Sequence, residues 1–415
     1  MFTTEDIYSD KLFEIFINER NITIRTIRGH AQALKLYSNY NKMLPEKLIL
    51  EAEEEQDKGI KTYLKKINGR IKGFTDHMKE AGYSPFSIRS YLNSIKAFYH
   101  HFDIITPRLR GIWKNKGKDR NLSHDQLPTK EDIERLLDVA DIRDQAIILL
   151  HISSGMGASE VRYLTWKNFL EAYENYYKPP PEEELNIPHI LYKLTKIDEK
   201  ERKNKLAGII GTWKISRVKT GMNYITFNTP ESSRSLLKYI KYRHNNNKPI
   251  KNLETPLFIN HFHKKIKHCG YSALFQRLNE KAGFERRSNE GTIHNEGRYY
   301  ITSHVLRKTF TTLLYGAGWD KLRVDWLLGH RIDDVSSAYF KIRPDILLED
   351  YRKSVGELSI KENFEYCEIT DKDYQMAIER IEELEKHKED YVEAQKLMDE
   401  LLTYKNVLEE LKKRR

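Results

Sequence analysis

Apolar residues recur three or four positions apart along most of this chain, and that spacing confines it to a mainly α-helical fold. The first set is Leu12, Ile15 and Phe16, followed by Ile24, Ile27, Ala31, Leu34 and Tyr37. After a charged stretch (EAEEEQDKG) come Ile71, Phe74 and Met78, and after Gly82 and Pro85 come Ile88, Leu92, Ile95, Phe98 and Tyr99. Each set falls on one side of a helix, so residues 1–102 are expected to form a small helical bundle around a shared core.

Residues 103–127 form the clearest boundary. From Ile104 to Arg120 there are six basic residues against one acidic, with Pro107, Gly111 and Gly117 interrupting any helix. Such a stretch reads either as a solvated linker or as one that tracks a phosphate backbone. A second domain, 128–360, opens at LPTKEDIERLL, where Thr129 and Asp132 stand at capping-box spacing. Thr212–Val218 and Tyr224–Phe227 have strand composition and flank KTGMN, which reads as a hairpin turn. The Pro- and Glu-rich stretch around YYKPPPEEEL, up to Gly211, reads as a surface insertion. Helical patterns resume from Ser232 to about Ala338. Residues 371–415 read as one long amphipathic helix in which Ala377, Leu384, Tyr391 and Met398 step by sevens, while Lys388 and Gln395 break a second column. Both a coiled coil and a solvated helix fit that pattern.

The formal net charge is +10, unevenly spread: residues 361–415 carry 16 acidic and 11 basic side chains, and residues 1–360 carry 45 and 60. A basic body suits a polyanionic partner, and an acidic tail suits a protein contact. No apolar run approaches the roughly 20 residues that span a bilayer, so no membrane role is expected. The polar start MFTTEDIYSD does not read as a secretory signal, and Cys269 and Cys367 suggest neither a metal knuckle nor a disulfide framework. A reducing cytoplasm is the expected location.

The most informative segment is SHVLRKTFTTLLYGAGWDKLRVDWLLGHRIDDVSSAYFK. It contains His304-x-x-Arg307, then Leu328-Gly329-His330, then Tyr339 nine residues beyond the second histidine. In that order and spacing the chain resembles the tyrosine recombinase family of phage and archaeal integrases, over about residues 10–350. The resemblance implies that Tyr339 is a nucleophile that attacks a DNA phosphodiester. The residue types suit such chemistry. A phenol with a pKa of about 10 needs nearby cations to favour its anion. Arg307 can donate two parallel hydrogen bonds to a phosphate, and His304 and His330 can hold or relay protons near neutral pH.

Two further matches extend the resemblance. RVKTGMNYITF places Lys219 where the family carries a hairpin lysine that acts as general acid toward the leaving 5′ oxygen. SSGMGASEVRYLTW resembles the first box, Gly-Leu-Arg-x-Ser-Glu-Leu followed by Leu-x-Trp, but Gly157 stands at the first catalytic arginine. Arg162, about 140° further round an ideal helix, is the candidate replacement; it reads equally as a surface or helix-packing residue.

The implied fold is a helical N-terminal core-binding (SAM-like) domain, an α+β catalytic domain with a small β-hairpin, and a long C-terminal helix. GYSPFSIRSYLNSIKAFYHHF resembles the core-binding domain, and Arg89, Lys96, Arg108 and Arg110 are the candidate DNA contacts. The implied activity is site-specific recombination of duplex attachment sites through a 3′-phosphotyrosyl intermediate, by a homo-oligomer that forms a tetramer on DNA. No cofactor and no metal are expected. Gly157 keeps open a DNA-binding protein with a decayed site, and an enzyme that nicks and relaxes DNA without synapsis is a second alternative.

Overall fold

The computed structural model describes residues 1–107, 127–203, 208–217, 221–286, 299–332, 343–362, 399–403 and 405. Arg108, Arg110, Lys219, Tyr339 and nearly all of the tail proposed over 371–415 lie outside these residues; 399–403 is helical. The described residues fall into two compact units, one of 1–107 with Arg286 and the other of the described residues from 127 to 285 and from 299 onward.

The first unit is entirely helical. Its six α-helices are α1 (Thr4–Tyr8), α2 (Lys11–Asn18), α3 (Ile24–Asn41), α4 (Pro45–Asp57), α5 (Lys66–Glu80) and α6 (Pro85–His101). Their starts are chemically marked. Asp10 accepts from Leu12 and Phe13 N–H at the head of α2, and Ser84 accepts from Ser87 N–H ahead of Pro85 at the head of α6. α3 packs on α6, and the Tyr37 and Tyr99 rings meet edge to face with their hydroxyls 3.4 Å apart. Ala31, Leu34, Ile71, Phe74, Met78, Ile88, Leu92, Ile95 and Phe98 are buried as the spacing predicts. In α2 the buried pair is Phe13 and Phe16, while Leu12 and Ile15 only flank it. Ile24 is 71% exposed, because it opens α3 and has no preceding turn to pack against.

The second unit is organised around α8 (Ile142–Ser154), whose residues from Ala146 to Ser154 are all buried. A helix apolar all round belongs at the centre of a domain. It packs against α12 (Pro230–Asn245), α14 (Ser303–Gly316) and the second hairpin strand. Before it, α7 (Lys130–Asp138) starts with the expected Thr129–Asp132 capping box. After it come α9 (Ala158–Tyr163), α10 (Trp166–Ala172) and α11 (Ile187–Lys203). The antiparallel hairpin pairs β1 (Gly211–Ser216) with β2 (Asn223–Asn228), Trp213 opposite Thr226. The Trp213 indole is buried and donates to Asn228 Oδ1 at 2.6 Å. α13 (His268–Lys281) and α15 (Lys321–Leu327) complete the elements around the site, and a further helix spans Pro344–Lys353.

One expectation needs correction. The segment read as a surface insertion contributes to the core: α11 buries Ile187, Ile190, Leu191 and Leu194 and packs on α12. Its Asp198 accepts from Ile209 N–H and from Arg234, so a charged stretch is fastened inward. Helical segments do resume near Ser232, as α12, α13, α14 and α15. Residues 246–267 are irregular, with isolated bridges Thr165–Pro256 and Ile259–Lys265 that tie them to the loop before α10 and to each other. Among the described residues no helix is long and apolar enough to cross a membrane.

Candidate active site

α14 starts at Thr302, whose hydroxyl accepts from Val305 N–H, and it buries Leu306, Phe310 and Leu314. Arg307 lies beside that stripe and is therefore drawn inward, to 8% exposure. A guanidinium so deep must be hydrogen-bonded on several sides. Its Nη1 donates to Gly155 O at 2.6 Å and faces Glu160 Oε2 at 3.5 Å; its Nη2 donates to Leu328 O at 2.7 Å and lies 3.2 Å from His330 Nε2. Gly155 and Leu328 are the C-cap residues of α8 and α15. Two helix C-termini, where carbonyls lack partners and partial negative charge collects, thus converge on one cation. Burial lowers the Arg307 pKa from its ordinary value, against which the Glu160 carboxylate works.

Glycine is required at both ends of this cradle. Gly155 has φ +64, and a Cβ there would come within 2.4 Å of the Phe310 ring. Gly329 has φ +59, and a Cβ there would meet the Tyr224 ring at 2.4 Å. Leu328-Gly329-His330 is a Schellman turn: Gly329 N–H bonds to Trp326 O at 3.0 Å and His330 N–H to Asp325 O at 2.9 Å. The left-handed glycine reverses the chain so that His330 meets Arg307. His330 Nδ1 lies 2.8 Å from Asp325 Oδ1. With a carboxylate accepting at Nδ1 and Arg307 donating toward Nε2, the ring is fixed as the Nδ1–H tautomer. Burial works against the Asp325 carboxylate, yet hydrogen bonds from Lys321 and His330 hold its pKa below the usual value.

Glu160 is the hub of the site. Its carboxylate accepts from Gly157 N–H, from Tyr224 OH at 2.8 Å and from Arg217 Nε at 3.1 Å, besides facing Arg307. Burial and the Glu160 charge together raise the Tyr224 pKa, so Tyr224 stays a hydrogen-bond donor. Arg217 also donates from Nη1 to Gly329 O at 2.8 Å. The hairpin end, the start of α9 and the Leu-Gly-His turn are thereby bonded to one another.

Of the sequence-selected residues, Arg307 and His330 come into direct contact. His304 lies one helical turn before Arg307 on α14 and is exposed; partial desolvation, then the Lys308 and Arg307 charges, lower its pKa. Arg162 turns elsewhere: its Nε donates to Ile266 O at 2.9 Å and its guanidinium lies over the Tyr163 ring. No hydrogen bond or ion pair among the described residues joins it to Arg307, His304 or His330. In the first unit Arg89 is exposed on α6, while Lys96 donates to Pro107 O at 3.1 Å and partial burial lowers its pKa.

Glu160, Arg217 and Asp325 were not selected from the sequence. Arg217 stands two residues before Lys219 at the end of a strand pattern, a spacing that puts side chains on one face. Asp325 stands five before His330, the reach of a Schellman turn. Glu160 stands in the Ser-Glu pair of the first box.

Residues 202–344, which contain Arg217, Arg307 and His330, match the model of the phage integrase family. Over those residues the chain is similar to the integrase family that its motifs resemble. It is 21% identical over 369 residues to the tyrosine recombinase XerD of Listeria monocytogenes, covering 84% of this chain and 98% of that protein. It is 22% identical over 352 residues to the tyrosine recombinase XerD of Oceanobacillus iheyensis, covering 83% of this chain and 96% of that protein. Among solved structures it is similar to a lambda integrase (75–356) dimer bound to a COC′ core site, at a TM-score of 0.48 and 13% identity, covering 89% of this chain and 100% of that one.

Proposed function

We propose that this protein is a site-specific DNA recombinase that cleaves and rejoins duplex attachment sites through a 3′-phosphotyrosyl intermediate on Tyr339. The observation that carries this reading is the placement of Arg307 beside His330, fixed by the carbonyls of two helix ends. Preorganised donors of this kind are the main source of transition-state stabilisation where charge builds on phosphate oxygens.

In the proposed reaction the Tyr339 oxygen attacks the scissile phosphorus, and the P–O5′ bond breaks as the P–Oη bond forms. Arg307 donates to the non-bridging oxygens. Lys219 gives its proton to the departing 5′ oxygen, and the tyrosine proton passes to His304 or His330. The phosphodiester energy is kept in the tyrosyl link, so rejoining by a 5′ hydroxyl consumes no nucleotide. Residues 1–102 would also bind the duplex, with Arg89, Lys96, Arg108 and Arg110 on the DNA, and four copies would assemble to exchange strands.

A nicked suicide duplex tests the reading, because loss of a short 5′-hydroxyl fragment traps the covalent adduct. Wild-type protein should accumulate adduct, and Tyr339→Phe should bind the duplex equally but form none. Adduct persisting at the wild-type level in Tyr339→Phe would assign the nucleophile elsewhere. Binding without adduct in the wild type would favour the decayed-site reading that Gly157 raises.

A further inference from the structure

The first box of this chain has no side chain at Gly157, where the resemblance calls for an arginine, and a single guanidinium leaves much of a pentavalent phosphate's charge uncompensated. The structure brings a second guanidinium to the same place from another part of the chain. A Cβ at Gly157 would stand 3.3 Å from Glu160 Oε2 and 3.8 Å from Oε1. Any side chain at 157 would therefore set out alongside the Glu160 carboxylate. Arg217 reaches that carboxylate from the end of β1, with Nε 3.1 Å from Oε1.

The remainder of Arg217 is positioned equally closely. Its Nη1 holds Gly329 O, while Arg307 holds the neighbouring carbonyl of Leu328. The two guanidinia thus share one carboxylate and two consecutive carbonyls of the turn that presents His330. Arg217 Nη2 has no hydrogen-bond partner among the described residues, and the side chain is 21% exposed. It retains donors for an incoming anion. Arg162 is committed to Ile266 O.

We propose that Arg217 supplies the second guanidinium on the scissile phosphate, in place of the side chain missing at Gly157. The proposal rests on the recombinase reading of the site. It requires that Arg217 answer the charge of the phosphate, beyond bracing the hairpin against Glu160.

The test compares two suicide duplexes: one with an ordinary scissile phosphodiester, the other with a methylphosphonate there, in which a methyl group replaces one non-bridging oxygen and removes its charge. Covalent adduct formation is timed for wild type, Arg217→Ala and Arg217→Lys at saturating protein. Arg217→Ala should fall by roughly 100-fold or more on the phosphodiester, the cost typical of one lost transition-state donor. On the methylphosphonate it should come within about tenfold of wild type, and Arg217→Lys should lie between. A loss of equal size on both duplexes, or one below about tenfold on the phosphodiester, would overturn the assignment. Should Arg217→Ala fail to bind DNA, Arg217→Met, which keeps the aliphatic stem, carries the same comparison. Absence of adduct from the wild type would overturn the recombinase reading itself, whereas wild-type adduct with an unimpaired Arg217→Ala would remove only Arg217.

Discussion

Desolvating a guanidinium costs several kcal/mol unless its donors are met. Arg307 meets that demand mainly with backbone carbonyls, which cannot be protonated away, so its charge is held over a wide pH range. His151 behaves in the opposite way. It is completely buried, its Nδ1 bonds to Met156 O at 2.8 Å and its Nε2 lies 2.6 Å from the Tyr271 hydroxyl. Desolvation pushes its pKa down to about 4, so it is neutral in the folded protein. In the unfolded chain its pKa returns to about 6.5. Between those values the unfolded state binds more protons, so the stability His151 contributes is complete above about pH 6.5 and is lost as pH falls toward 4. Moving from pH 7 to pH 5 should cost about 2 kcal/mol through this residue alone. Urea unfolding at both pH values should show that loss in wild type and a loss smaller by about 2 kcal/mol in His151→Asn. Equal losses in the two proteins would show that His151 is not the titrating group.

At the level of elements, the Leu-Gly-His turn shows why a short motif has a fixed spelling. The Schellman geometry needs a left-handed residue at 329, and the approach of Tyr224 excludes a side chain there. Gly329→Ala should destabilise the protein by about 1–3 kcal/mol, the cost of a strained backbone residue. Because the same turn carries His330 and the carbonyls held by Arg307 and Arg217, adduct formation should drop beyond what the lowered melting temperature explains. An alanine variant that melts and cleaves as wild type does would disprove this. This turn was legible in the sequence because its determinants are local. The helices of the first unit and the two strands were legible for the same reason, through their spacing and composition. The roles of Glu160 and Arg217 were not, since each depends on contacts 57 and more residues away in the chain. The inward packing of α11 was obscured by its flanking Pro and Glu residues, although Ile187, Ile190, Leu191 and Leu194 already follow helical spacing.

For the whole molecule, the excess of basic residues over 1–360 predicts that affinity for duplex DNA is carried largely by released counterions. A clamp that touches about six phosphates gives a log–log slope of about −5 against salt. Fluorescence anisotropy between 50 and 300 mM salt would measure it, and a slope shallower than about −2 would be incompatible with a contact of that size. The cradle around Arg307 also bears on how such proteins can be recombined with one another. The segment matched by the family model begins at residue 202, yet Gly155 and Glu160, which hold Arg307, come earlier in the chain. A graft that moved only 202–344 into another scaffold would carry the cation away from two of its partners, and breaking up a buried pair typically costs 3–5 kcal/mol. The smallest exchangeable module therefore begins before residue 155, and chimaeras cut later should inherit the arginine without the means to keep it in place.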